Sequence, residues 1–157
     1  MNTFERKISS IRDCDITQMF KDMSEEYDVK IKIRDPEYFD FESIKATATL
    51  HKNLVNINLK LLKNKSILIK SILHEIGHIV CFRKGIYKNY HTTNNIISNM
   101  SEEVKRLKIL TGLKAEKYVD RWASNELKKW NNRLKYDFSY SNIGVQKRYK
   151  EWLKRYK

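Results

Sequence analysis

The chain has 157 residues, of which 41% are hydrophobic and 11% aromatic, so it is long enough to bury a core and too apolar to be intrinsically disordered. Two cysteines, Cys14 and Cys81, exclude a disulfide scaffold. The richest apolar run, Ile67 to Leu73, is broken by Lys70 and Ser71 and falls well short of the ~20 residues a membrane span needs.

The first element predicted is a helix, because Ile16, Met19, Phe20 and Met23 follow the i, i+3, i+4, i+7 spacing of one apolar face. Val29, Ile31 and Ile33 then alternate with Lys30, Lys32 and Arg34, a half-buried strand that ends before Pro36. Ala46 to His51 reads as a second strand. Leu54 to Leu59 reads as a third, with Val55, Ile57 and Leu59 on one face, Asn56 and Asn58 on the other, and a turn at Lys52-Asn53 before it. From about Ser66 the period becomes helical: Ile69, Ile72, Leu73, Ile76 and Val80 form a stripe, and Gly85 is the expected stop. Residues 86–98 are polar and irregular. Ser101, with Glu102 and Glu103 after it, caps a helix that Gly112 is expected to close. A further helix carries Val119, Trp122, Ala123, Leu127, Trp130 and Leu134 on one side. The last, from about Asn142, is expected to bury Val145, Tyr149, Trp152, Leu153 and Tyr156, so all three tryptophans read as packing. The order is an N-terminal helix, a small sheet of about three strands, then helices, which is an α+β layout. One domain spanning 1–157 is expected, with a core at about 27–135 and a basic C-terminal helix at about 142–157.

Inside the strongly helical segment stands His74-Glu75-Ile76-Gly77-His78, an H-E-x-x-H match. Residues four apart on a helix lie one turn along it and about 40° apart around it, so the two imidazoles can hold one zinc ion together. Glu75, between them, is placed as general base toward a zinc-activated water. A catalytic zinc also needs a third protein ligand. The metzincin extension would want Gly at 81 and a ligand at 84, where the chain has Cys81 and Lys84. The better candidate is Glu116, which shares a helical face with Asp120 at i+4. Asp120 is then free to hold the outer ring nitrogen of a ligand, His74 first, which fixes its tautomer. Ala123, one turn on, is small enough for close helix approach. His91, in the polar segment, is the alternative third ligand, and Cys81, at i+7 from His74, a weaker one. His51 reads as a surface or structural strand residue.

From Val55 to Leu127 the chain resembles the ImmA/IrrE-type zinc metallopeptidases of bacteria and mobile elements. A strand, Val55-Asn-Ile-Asn58, precedes HEIGH at 74–78, and Glu116 to Ala123, EKYVDRWA, is similar to the family's E-x-x-A-[DN]-x-[FW]-A helix, with Val119 in place of the alanine. The resemblance implies a minimal zincin-like fold and one zinc ion per chain. Matched by position, it makes His74, His78 and Glu116 ligands, Glu75 the base, and Asp120 the residue behind a ligand. It also implies gluzincin-like endopeptidase chemistry on a protein substrate, a transcriptional repressor of a phage or mobile element. Residues 1–20, with Glu5, Arg6, Lys7, Arg12, Asp13 and Asp15, show no secretion signal, and with no apolar run long enough to span a membrane the protein reads as cytoplasmic. The Val55 to Leu59 strand would offer an edge to an extended substrate.

The formal charge is +13, from 32 Lys+Arg against 19 Asp+Glu. Residues 101–157 hold 16 basic and 7 acidic residues, so the surplus gathers in the C-terminal third, a candidate contact for DNA or an acidic protein; no membrane partner is expected. Two competing functions stay open. One is a non-proteolytic zinc-fold protein acting on a repressor by contact; the other is a SprT-like DNA-associated protease, which would complete its site with a histidine such as His91.

Overall fold

The structure, a computed structural model, describes residues 14–39, 45–87, 101–135, 137, 138, 140 and 145–155. Among them are four helices and a three-stranded mixed sheet, the α+β layout expected. The chain divides into two compact units, Met1–Ile79 and Val80–Lys157.

In the first unit, helix α1 (Cys14–Tyr27) buries Ile16, Met19, Phe20 and Met23, the stripe read from the spacing. It ends where Asp28 turns left-handed (φ 51°) and the Val29 N–H bonds back to the Ser24 carbonyl at 3.1 Å, satisfying an otherwise open carbonyl of the last turn. Strand β1 (Lys30–Arg34) follows and stops before Pro36, which opens a short 3₁₀ turn. Strand β2 is only Ala46–Thr49, shorter than predicted, because Leu50–Lys52 coil into another 3₁₀ turn. Asn53, left-handed at φ 51°, donates its N–H to the Leu50 carbonyl at 3.2 Å and reverses the chain into β3 (Leu54–Asn58). His51 therefore sits exposed in the reversal and not in a strand.

The strand order is β1-β3-β2, with β1 parallel and β2 antiparallel to β3. This corrects one expectation: the Val55–Leu59 segment is the central strand, not an edge, and Leu59 already belongs to the 3₁₀ turn that follows. All five β3 residues are buried, including Asn56 and Asn58. A fully buried Asn needs partners, and Asn56 has them across both neighbours. Its Oδ1 accepts from Arg34 Nε at 3.0 Å, and its Nδ2 donates to the hydroxyls of Thr47 and Thr49 at 3.4 and 3.3 Å.

Helix α2 (Lys65–Lys84) starts where the Asn64 side chain accepts the Ile67 N–H at 3.1 Å. It stops at Gly85, whose φ of +68° lets the N–H groups of Gly85 and Ile86 bond to the carbonyls of Phe82 and Cys81. The predicted stripe is too narrow for this helix. Leu68 and Ile79 are buried besides the stripe, residues 71–77 are buried without a break, and Val80 is only half-buried. Among the described residues, no helix is long and apolar enough to cross a membrane.

The second unit holds the end of α2, helix α3 (Glu102–Leu134) and helix α4 (Val145–Lys154). Ser101 Oγ accepts the Val104 N–H at 3.3 Å, and Glu102 and Glu103 occupy the positive first turn, as the capping pattern implied. Gly112, however, does not close α3. The helix runs through it without a break, so the two helices expected here are one of 33 residues. The glycine serves close approach: a Cβ there would lie 2.5 Å from Cε1 of Tyr149 on α4. Ile109, Leu113, Ala115, Val119, Ala123, Leu127 and Trp130 are buried along α3. The predicted start of the last helix at Asn142, most of segment 86–98, the Val145 side chain and Tyr156 lie outside the described residues. On α4, Tyr149 and Leu153 are half-buried, whereas Trp152 is 38% exposed; the expectation that it is core is overturned.

The seat at Gly112 is testable. Gly112→Leu should cost about 1–3 kcal/mol in urea unfolding through overpacking, and clearly less in a Tyr149→Ala background. Equal costs in both backgrounds would show that the close approach does not govern the site.

Candidate metal centre

Helix α2 carries three chemistry-bearing side chains into its buried turns. His74 is 1% exposed, Glu75 is buried and His78 half-buried. Their order along the helix fixes their geometry: the rings of His74 and His78 meet edge to face at 76°, with Nε2 atoms 3.2 Å apart. That distance suits a hydrogen bond between one ring's N–H and the other's lone pair. It equally suits two corners of a tetrahedral metal site, since bonds of 2.0–2.1 Å put neighbouring donor nitrogens about 3.3 Å apart.

Helix α3 supplies the carboxylates. Glu116 is 2% and Asp120 6% exposed, both on the buried face marked out by Gly112, Leu113, Ala115, Val119 and Ala123. One donor atom from each of His74, His78 and Glu116 falls within a span of 4.8 Å, close enough to share one metal ion. The donor set, two imidazole nitrogens and one carboxylate oxygen, is of the type that holds zinc at catalytic sites with a position left open. The residues therefore fit a metal ion, although the set alone does not name which divalent metal it takes.

Asp120 has partners that the sequence did not announce. Its Oδ1 accepts the Tyr140 hydroxyl and its Oδ2 accepts the Gln146 side-chain amide, each at 2.5 Å. A buried carboxylate with two such donors is fixed in place, and with it the turn of α3 that begins at Glu116. Neither Tyr140 nor Gln146 could be singled out beforehand. Tyr140 lies beyond the end of α3, and Gln146 is an ordinary polar residue until the Asp120 contact is known.

His91 lies outside the described residues, and exposed His51 is not part of the metal-competent group. Cys81 is fully buried with a free thiol. Burial pushes that thiol up to about 11, with Lys84 pulling it down and the Glu116 charge adding a smaller upward push. It is thus a protonated thiol near neutral pH, a weak ligand and a weak nucleophile, in keeping with its absence from the donor group. Trp130 is buried, with the Arg133 guanidinium 4.7 Å over its ring, and Trp122 is half-buried.

In a Cys14→Ser background, Cys81 should react with iodoacetamide at pH 8 only about as fast as the chain opens locally, and rapidly once unfolded. The sign of its pH effect follows from the upward shift. The unfolded thiol ionises first, so Cys81 should subtract stability as pH rises from 9 toward 11. Urea unfolding of Cys81→Ala should lack that decline; an identical pH profile would refute the assignment.

Searches of protein-family models, curated proteins and solved structures with this chain find no match.

Proposed function

We propose that the chain is a zinc-dependent endopeptidase of the ImmA/IrrE type, acting in the cytoplasm on a transcriptional repressor of a phage or mobile element. The observation that carries this reading is the convergence of His74, His78 and Glu116 within 4.8 Å, with Glu75 one residue after the first histidine on the same buried helix. His74, His78 and Glu116 would hold the ion. Bound there, zinc supplies Lewis acidity to a scissile carbonyl and lowers the pKa of water.

Every other role falls to the chain itself. Glu75 takes the proton of the attacking water and hands it to the departing amine, the shuttle that peptide hydrolysis needs at neutral pH. Its burial keeps bulk water from competing for the carboxylate. Asp120, held by Tyr140 and Gln146, steadies the helical turn that presents Glu116. An extended substrate would add to a strand edge, and with β3 in the centre that edge is β1 or β2, not the Val55–Leu59 strand.

The reading is tested on zinc-loaded protein. One zinc per chain should bind, Glu116→Ala should weaken it at least about tenfold, and Glu75→Gln should retain it. Against a peptide library read by mass spectrometry, Glu75→Gln should lose about 10²–10⁴ in cleavage rate. Full zinc occupancy with no cleavage by the wild type would favour a metal-stabilised protein that acts by contact. Zinc binding unchanged by Glu116→Ala would overturn the ligand set.

A further inference from the structure

Helix α4 has one face committed to its own unit and one face left to solvent. The committed side is defined by Gln146, which donates to Asp120, and by Tyr149, seated over Gly112. At about 100° per residue, the opposite side is an arc roughly 160° wide that carries Lys147, Arg148, Lys150, Lys154 and, just past the helix end, Arg155. All five are exposed, and among the described residues none of them makes an ion pair. A single acid, Glu151, shares the arc.

We propose that this face of α4 is a docking surface for duplex DNA, gripping the phosphate backbone without reading sequence. Five cations against one acid over about 12 Å of helix leave a strongly positive face, which suits a polymer carrying one negative charge per ~1.7 Å of duplex axis. The chemistry argues against the other polyanions. A stable protein interface needs a desolvated, largely apolar centre in which lysine is depleted, yet this arc is mostly lysine and arginine. An interfacial membrane helix must offer an apolar face to lipid, and that of α4 is turned onto α3. Trp152, 38% exposed and braced edge-on by the Tyr149 ring at 5.2 Å, stands at the margin of the arc. Since α4 is tied through Gln146 to Asp120, the surface is presented on a fixed helix, one turn from Glu116 along α3. This inference does not depend on peptidase activity.

The test uses the whole protein and a fluorescent duplex of about 24 base pairs, with anisotropy followed over a salt series. Affinity should fall steeply with salt, with a log–log slope of about −4 to −5 if all five cations contact phosphate. K147Q/R148Q/K150Q should flatten the slope by about 3 and weaken binding more than tenfold near 0.1 M salt, and K154Q/R155Q should flatten it by about 2. A charge-matched control on the first unit, K52Q/K60Q/K63Q, should leave the slope within about one unit of wild type. Equal losses in the control would show that net charge alone drives binding and would overturn the proposal. So would tighter binding to poly-glutamate or to anionic phospholipid vesicles than to the duplex. Circular dichroism of each variant, matching the wild type, makes a loss attributable to the surface.

Discussion

The candidate site depends first on burying polar side chains along a stretch of α2 that has no solvent-facing side. Over residues 71–77, nearly two turns of α2, no side chain reaches solvent appreciably, yet the stretch includes Ser71, His74 and Glu75. An α-helix tolerates this because its backbone satisfies itself, leaving only the side chains to be accounted for. Imidazoles and carboxylates removed from water cost several kcal/mol unless charge or hydrogen bonds meet them there. Two imidazoles held at 3.2 Å and a glutamate donor within reach of both form a set close enough to share a metal ion, and such an ion would offset their burial. The same enclosure leaves the Cys81 thiol protonated, because no thiolate is well solvated in such surroundings.

The sheet meets the same constraint with hydrogen bonds. A three-stranded sheet has one strand with neighbours on both sides, and β3 takes that place with Asn56 in its middle. One asparagine joins all three strands, through Arg34 on β1 and Thr47 and Thr49 on β2. Arg34 in turn lies over the Tyr38 ring at 4.5 Å, so the network reaches the turn after β1. A leucine at 56 would pack as well but could not fix the register of two differently oriented neighbours. The polar network supplies that specificity, and leaves the edges on β1 and β2.

In the second unit the organising feature is the length of α3. A single helix of 33 residues, about 50 Å long, carries the cap at Ser101, the seat at Gly112, the ligand candidate Glu116 and the anchor Asp120 in fixed phase. Helix α4 is attached to it at two places of different kind. At Gly112 the absence of a side chain admits the Tyr149 ring; at Asp120 a buried carboxylate holds Gln146. Carboxylate and glycine lie eight residues apart, so they share a face, and the basic side of α4 is thereby turned outward.

Local spacing alone determined much of this protein. The α1 stripe, the stop of β1 before Pro36, the turn at Asn53, the end of α2 at Gly85 and the cap at Ser101 are set by residues within a few positions of each other, as is the pairing of His74 with His78. Glu116 and Asp120 were legible as a helical pair because i, i+4 spacing holds wherever the helix lies. What sequence could not supply was anything that depends on which element comes to lie beside which. Gly112 reads as a stop by local propensity, and only the Tyr149 ring beside it shows that the glycine serves close approach inside a continuous helix. Strand β3 reads as a possible edge until its pairing on both sides puts it in the centre. Tyr140 and Gln146 acquire a role only through Asp120, 20 and 26 residues away. Short-range stereochemistry is written in neighbouring residues; burial and long-range hydrogen bonding are settled by packing, which a one-dimensional pattern does not encode.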